Sequence, residues 1–176
     1  MNNLMNPKYP EGKNLFKDQN ILITAAAGSG IGFSTAKRFV EEGANIFISD
    51  VHQGRLDEAI QSLRKLDMGE VNGCLCNVTK DEEIESMFKK AITSYSTLNG
   101  VVNNAGLGGE STLENMTNDD WNLVMDVTLN GAMKIMRAAI PILKNTQGVI
   151  VNNASALGWR AQAGQSHYAA AKAGVM

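Results

Sequence analysis

Five short apolar runs, each followed by a stretch of helical periodicity, set the tightest limit on how this chain can fold. Residues 20–24, 45–49, 71–76, 98–103 and 149–152 read as strands. Between them, residues 31–42 carry a helical stripe through Ile31, Ala36, Phe39 and Val40, and residues 56–66 one through Leu56, Ala59, Ile60 and Leu63. A third helix is predicted over residues 81–95 and a long one over 117–140, with Trp121, Val124, Met125, Ala132, Ile135, Met136 and Ala139 on one stripe. Pro141 is expected to end it, and a last helix starts near Gln165 and runs to Met176. Strands alternating with helices of about ten residues or more pair in parallel through right-handed crossovers. The fold class is therefore a doubly wound α/β domain with a parallel sheet covered on both faces. Periodicity alone also admits a flavodoxin-like arrangement.

Composition agrees with one globular domain. Of 176 residues, 44% are hydrophobic and 19% charged, enough apolar material for a core. The net charge of −2 carries little information and gives no hint of a basic nucleic-acid surface, and no Lys/Arg block suggests a membrane patch. Residues 1–14 are polar, are broken by Pro7 and Pro10, and read as a loose arm without a signal-peptide stretch. No segment is apolar enough to span a bilayer, so a cytoplasmic location is expected. Cys74 and Cys76 lie on one face of a strand and read as reduced thiols, because Cys-x-Cys alone cannot complete a tetrahedral metal site. No metal is expected.

The chemistry sits at the two ends of the alternation. The run Ala26-Ala27-Gly28-Ser29-Gly30-Ile31-Gly32 follows a strand and opens a helix, a context in which backbone can approach a pyrophosphate and unpaired N–H groups can meet its charge. Asp50 ends the second strand, where a carboxylate can accept hydrogen bonds from both ribose hydroxyls and repel a 2′-phosphate. That favours NAD over NADP, and Ser29, standing where a basic residue could meet the extra phosphate, leans the same way. A strand-end turn residue is the plain alternative for Asp50. Tyr168 and Lys172 are four residues apart on a helix and share a face. At about 4 Å and an effective dielectric near 20, one positive charge favours a phenolate by roughly 4 kcal/mol. Ser155 follows the fifth strand and can donate to an oxyanion in the crevice, or simply cap a turn. A packed tyrosine and a solvated lysine are the corresponding plain readings of the helical pair.

The glycine loop, Asp50, Asn103-Asn104-Ala105-Gly106, Ser155, and Tyr168 with Lys172 occur in an order that resembles the short-chain dehydrogenase/reductase family, from about Leu15 to the last residue. The resemblance implies a Rossmann-like NAD(P)-binding domain over residues 15–176 and reversible oxidation of a secondary alcohol to a ketone. It implies Tyr168 as catalytic base, Lys172 as the group that lowers its pKa and bonds the nicotinamide ribose, and Ser155 as holder of the substrate oxygen. Ala26, Gly28, Ser29, Gly30, Ile31, Gly32, Asp50, Asn77, Val78, Asn104, Ala105 and Gly106 would line the cofactor cleft with Tyr168 and Lys172.

Three positions depart from the family pattern. Ala26 stands where glycine is usual, with Thr24 one residue farther from the loop, and its methyl could crowd the turn. Thr128 stands where an asparagine commonly holds a water for proton relay, and a hydroxyl can still bind one. Asn77 replaces an aspartate that contacts the adenine amino group, and its side-chain carbonyl can accept that bond. Family members also continue for roughly seventy more residues, as α/β domains of this kind often do. The expectation is a C-terminally incomplete fold, cut within the catalytic helix, with an open sheet edge at the fifth strand. A chain so cut is expected to be poorly stable and nearly inactive alone.

The stretch from Asn152 to Gln162, with Gln165-Ser166-His167-Tyr168, is similar to a branch near the bacterial hydroxysteroid and 3-hydroxyacyl-thioester dehydrogenases. Trp159 and Arg160 there offer an apolar wall and a phosphate or carboxylate partner, or ordinary loop packing. His167, turned about 100° from Tyr168, reads as a bystander. Two other readings remain: a dinucleotide-binding fragment without catalysis, and a subunit acting only by association. A homodimer or homotetramer through the long helix and the final helix is what the resemblance implies for a full-length protein.

Overall fold

In the computed structural model, which describes residues 7–176, the five strands form one parallel sheet. They are β1 (Asn20–Ile23), β2 (Asn45–Asp50), β3 (Val71–Leu75), β4 (Gly100–Asn103) and β5 (Val149–Asn152), in the order β3-β2-β1-β4-β5. The order reverses between β1 and β4, which opens a crevice at the carboxyl ends of the strands. Alternation along β1 divides the core in two. Ile21 and Ile23 pack with Ala36 and Val40 of α1 (Ile31–Glu41) and Leu56, Ala59 and Leu63 of α2 (Gln53–Arg64). Leu22 faces the other way, into a cluster with Ile84, Met87 and Phe88 of α3 (Asp81–Tyr95) and Ile135, Ala139 and Leu143 of α5 (Gly131–Lys144). Each fully buried Leu, Ile, Val, Met or Phe side chain among these contributes about 1.5–3 kcal/mol.

Helix boundaries follow local chemistry. α1 stops at Gly43, whose φ of 84° lies in the left-handed region, with Gly43 N donating to Val40 O at 2.8 Å. α4 (Asn118–Met125) starts at a capping box: Asp120 N donates to Thr117 Oγ1 at 3.1 Å and Thr117 N to Asp120 Oδ2 at 3.2 Å. α6 (Ser166–Val175) closes the described chain.

The expected helix over 117–140 differs in two respects. A π-helical turn, Asp126–Asn130, separates α4 from α5 and rotates Thr128 into the interior. Pro141 lies within α5 rather than at its end, because Leu143 beyond it is buried in the core and that packing holds the last turn despite the missing N–H. Of the expected loose arm, residues 1–6 lie outside the described residues. Residues 7–14 have no regular structure but are strapped to the end of α1. Tyr9 Oη donates to Glu41 Oε2 at 2.6 Å, Arg38 Nη1 to Pro10 O at 2.7 Å, and Lys13 N to Glu42 Oε2 at 2.7 Å. β5 is a sheet edge, and Val149 and Val151 on one of its faces are 62% and 55% exposed.

Candidate active site

The turn after β1 is built on hydrogen bonds to the neighbouring strand. Thr24 Oγ1 accepts from Asn104 N and Ala105 N, both at 3.0 Å, and Asn104 Nδ2 donates back to Thr24 O at 3.1 Å and Ala25 O at 3.0 Å. The glycines that follow are not equivalent. Gly28 has φ of 80°. Gly30 caps α1 with open space where a side chain would be. A methyl on Gly32 would lie 2.5 Å from Asn104 Nδ2 and 2.5 Å from Ala25 O, so only hydrogen fits. The methyl of Ala26 does not crowd the turn. It is fully buried in the core beside α1, and Ala26 N donates to Ser49 O at 2.9 Å. Ala25, the residue before it, takes a left-handed conformation with φ of 50°, as Gly28 does farther along the turn.

Asp50, Asn77 and Val78 meet beside this turn. They line a cavity of about 420 Å³ with Ala25, Ala105 and Gly106. Asp50 is 7% exposed, and its Oδ1 accepts from His52 N and Arg55 Nη2, each at 3.0 Å. All its hydrogen bonds end on Oδ1, so Oδ2 is available to a ribose hydroxyl. Asn77 is engaged locally. Its Oδ1 accepts from Thr79 N at 3.0 Å and Thr79 Oγ1 at 2.9 Å, so an adenine amino group would compete with Thr79 for this oxygen. The open space over Gly30, the free Asp50 oxygen and the cavity between them fit an adenosine diphosphate half.

At the other end of the crevice, residues 106–109 run along α6. A methyl on Gly108 would meet the Tyr168 ring at 3.8 Å, and one on Gly106 would meet Lys172 Nζ at 3.3 Å. Lys172 Nζ stands 5.7 Å from the Tyr168 ring centroid. Lys172 is only 4% exposed, and burial pushes its pKa below the ordinary lysine value. Its ammonium donates to Asn153 O at 2.5 Å, a charge-assisted bond at the end of β5. Ser155 caps a short 3-10 turn, Ala156–Gly158, accepting from Leu157 N at 3.2 Å. The turn-cap role is thus real, and the hydroxyl proton of Ser155 is still free to be donated. The turn packs on α6, since a methyl on Gly158 would lie 3.0 Å from the Lys172 carbonyl carbon.

Thr128 is placed differently from a water holder. It is 1% exposed, and its hydroxyl donates to Leu107 O and accepts from Leu107 N, both at 3.0 Å. The π-turn delivers this hydroxyl to the 106–109 loop, which makes Thr128 a brace for the loop. His167 is buried, with Nε2 facing Gly109.

Sequence reasoning passed over Thr24 as a structural tie, Arg55 beside Asp50, and Asn153 beneath Lys172. Only Asn153 carried a local signal, as a polar residue at the end of an apolar strand. Among the described residues no group of three or more His, Cys, Asp or Glu could hold a metal ion, and no helix is long and apolar enough to cross a membrane.

Comparison with known proteins matches this architecture. The chain is 45% identical to (5R,7aS)-5-hydroxy-7a-methyl-1-oxo-2,3,5,6,7,7a-hexahydro-1H-indene-carboxyl-CoA reductase of Mycobacterium tuberculosis, over 100% of this chain and 68% of the relative. The crystal structure of a short chain dehydrogenase from Mycobacterium smegmatis superposes with a TM-score of 0.93 at 47% identity, covering 96% of this chain and 71% of that one. A short chain dehydrogenase/reductase from Burkholderia phymatum in complex with NAD superposes with a TM-score of 0.87 at 28% identity, covering 91% and 57%. The chain thus spans part of the length of each. The sequence profile described as short chain dehydrogenase matches residues 19–176, and on that match, together with the crevice described above, the chain belongs to the short chain dehydrogenase family.

Proposed function

We propose that the protein interconverts a secondary alcohol and a ketone with NAD, using Tyr168, Lys172 and Ser155. The observation that carries this reading is the placement of the Tyr168 ring and the Lys172 ammonium against residues 106–109, the loop that Asn104 ties to the phosphate-binding turn. Bound nicotinamide would supply the hydride acceptor. In the oxidation direction, Tyr168 Oη takes the proton of the substrate hydroxyl while Ser155 Oγ donates a hydrogen bond to the same oxygen. The Lys172 ammonium stabilises the negative charge that develops on the tyrosine oxygen, and burial strengthens that effect by excluding water. Gly28 and Gly30, with the N–H groups opening α1, would receive the pyrophosphate, and Asp50 Oδ2 the ribose diol.

Asp50 supports NAD. Arg55, within 3.0 Å of Asp50 Oδ1, offsets part of its charge and supports NADP as a weaker second ligand. For the substrate, the thioester named for the Mycobacterium tuberculosis relative and the neighbouring Trp159, 85% exposed, support a CoA ester of a ring-derived acid. Arg160, also exposed, would meet a CoA phosphate. Cys74 and Cys76, both unpaired and buried, support a reducing, cytoplasmic setting. A homodimer or homotetramer is proposed for the full-length protein.

Fluorescence titration with NADH and NADPH, followed by turnover with a 3-hydroxyacyl-CoA, tests the reading. The expected result is NADH binding tighter than NADPH, with Tyr168→Phe lowering turnover at least about 100-fold while NADH affinity holds. Absence of NADH binding would refute it. Binding without any turnover to lose would favour the dinucleotide-binding fragment.

A further inference from the structure

Lys172 has no carboxylate partner among the described residues, and its ammonium is held by the main-chain carbonyl of Asn153 at 2.5 Å. What fixes that carbonyl is a chain of bonds leading back to the other half of the crevice. Asn153 N donates to Asn103 O at 3.0 Å, continuing the β4–β5 ladder by one residue. Asn153 Nδ2 donates to Asn104 Oδ1 at 2.8 Å. Asn104 cannot turn its amide over, because its Nδ2 is committed to two acceptors, Thr24 O at 3.1 Å and Ala25 O at 3.0 Å. Asn104 therefore presents an oxygen to residue 153, and residue 153 must answer with a donor.

We propose that Asn153 is a positioning residue: its side-chain amide locks Asn104 beneath the phosphate-binding turn, while its carbonyl holds the Lys172 ammonium, so one residue registers both halves of the crevice. The inference rests on the dinucleotide reading given above. Through this link, two hydrogen bonds join the turn after β1 to Asn153, just beyond β5, and a third reaches the Lys172 ammonium.

The test uses the chain as it stands, with NADH fluorescence titrated from pH 5.5 to 7.5. Asn153→Ala is expected to weaken NADH binding about tenfold, the equivalent of one lost hydrogen bond. Asn153→Asp is expected to weaken it further at pH 7.5, because a carboxylate sets acceptor against acceptor at Asn104 Oδ1. As pH falls and the acid is protonated it regains a donor, so affinity recovers relative to the wild-type chain measured at the same pH. A loss caused only by loosened packing would not recover with acid. Affinities within twofold of wild type, or Ala and Asp variants that stay equal at every pH, would overturn the proposal. Should both variants fail to reach the wild-type melting behaviour, ¹⁵N-asparagine labelling of the wild-type chain decides instead. The Asn153 side-chain amide is expected to be protected from solvent exchange and to shift on NADH saturation. Exchange as fast as free asparagine would overturn the clamp. A wild-type chain that binds no NADH counts against the functional reading, and the exchange measurement still decides the Asn153–Asn104 bond.

Discussion

Gly30→Ala and Gly32→Ala, two residues apart in one motif, should fail in opposite ways. At Gly32 an added methyl would lie 2.5 Å from both Ala25 O and Asn104 Nδ2, against an ordinary separation of about 3.4 Å or more, so the turn or the helix must move by about 1 Å. Overpacking of this kind costs about 3 kcal/mol. Breaking the Asn104 bonds to Thr24 O and Ala25 O adds about 2 kcal/mol. The better helix propensity of alanine returns about 1 kcal/mol. The net loss is about 4 kcal/mol, which for a domain of this size lowers Tm by about 8–16 °C. At Gly30 nothing lies within 4 Å of the added methyl and φ is −85°, so an alanine is tolerated by the fold. The poorer N-cap costs about 0.5 kcal/mol, or about 1–2 °C. The methyl instead occupies the space over the opening N–H groups of α1, and NADH affinity should fall more than about tenfold. Circular dichroism melts and NADH titration on the two variants decide the matter. A Gly32→Ala melt within 2 °C of wild type, or a Gly30→Ala chain that binds NADH within about twofold of wild type, would refute the reasoning.

Thr128→Val removes both bonds between the Thr128 hydroxyl and Leu107; a destabilisation of about 1–3 kcal/mol and faster proteolysis within residues 106–111 are expected, and an unchanged melt would exclude the bracing role. The strap over α1 should be pH-sensitive. N–H groups of Lys13 and Leu15, and then Arg38, hold the Glu42 carboxyl below its ordinary range. The stabilisation is therefore complete above about pH 4.5, the unfolded-state range, and is lost as pH falls through the lower folded value. Limited proteolysis of residues 7–15 should rise on acidification in wild type, whereas Glu42→Gln should be cut at every pH. Burial pushes the Cys76 thiol up to about 12, so iodoacetamide at pH 8 should label it only after unfolding, and rapid labelling of the native chain would contradict the packing.

The sequence carried the alternation of strands and helices, and with it the parallel sheet, because period and element length are local properties that backbone chemistry turns directly into structure. It also offered the glycine turn, Asp50, Ser155 and the Tyr168–Lys172 pair as candidates, since each is either a short spacing on one element or a polar residue beyond a strand. It did not carry the state of the polar atoms. Asn77 and Thr128 were legible as residues able to accept a hydrogen bond, but Thr79 and Leu107 already engage them. Pro141 read as a stop and lies inside α5, because Leu143 is held by a core contributed by distant strands. Arg55 against Asp50, and the path from Lys172 through Asn153 and Asn104 to Thr24, join residues as many as 148 positions apart in the chain. Local spacing fixes which faces side chains share along one element; which donor meets which acceptor across the crevice is decided only when the sheet brings its strand ends together.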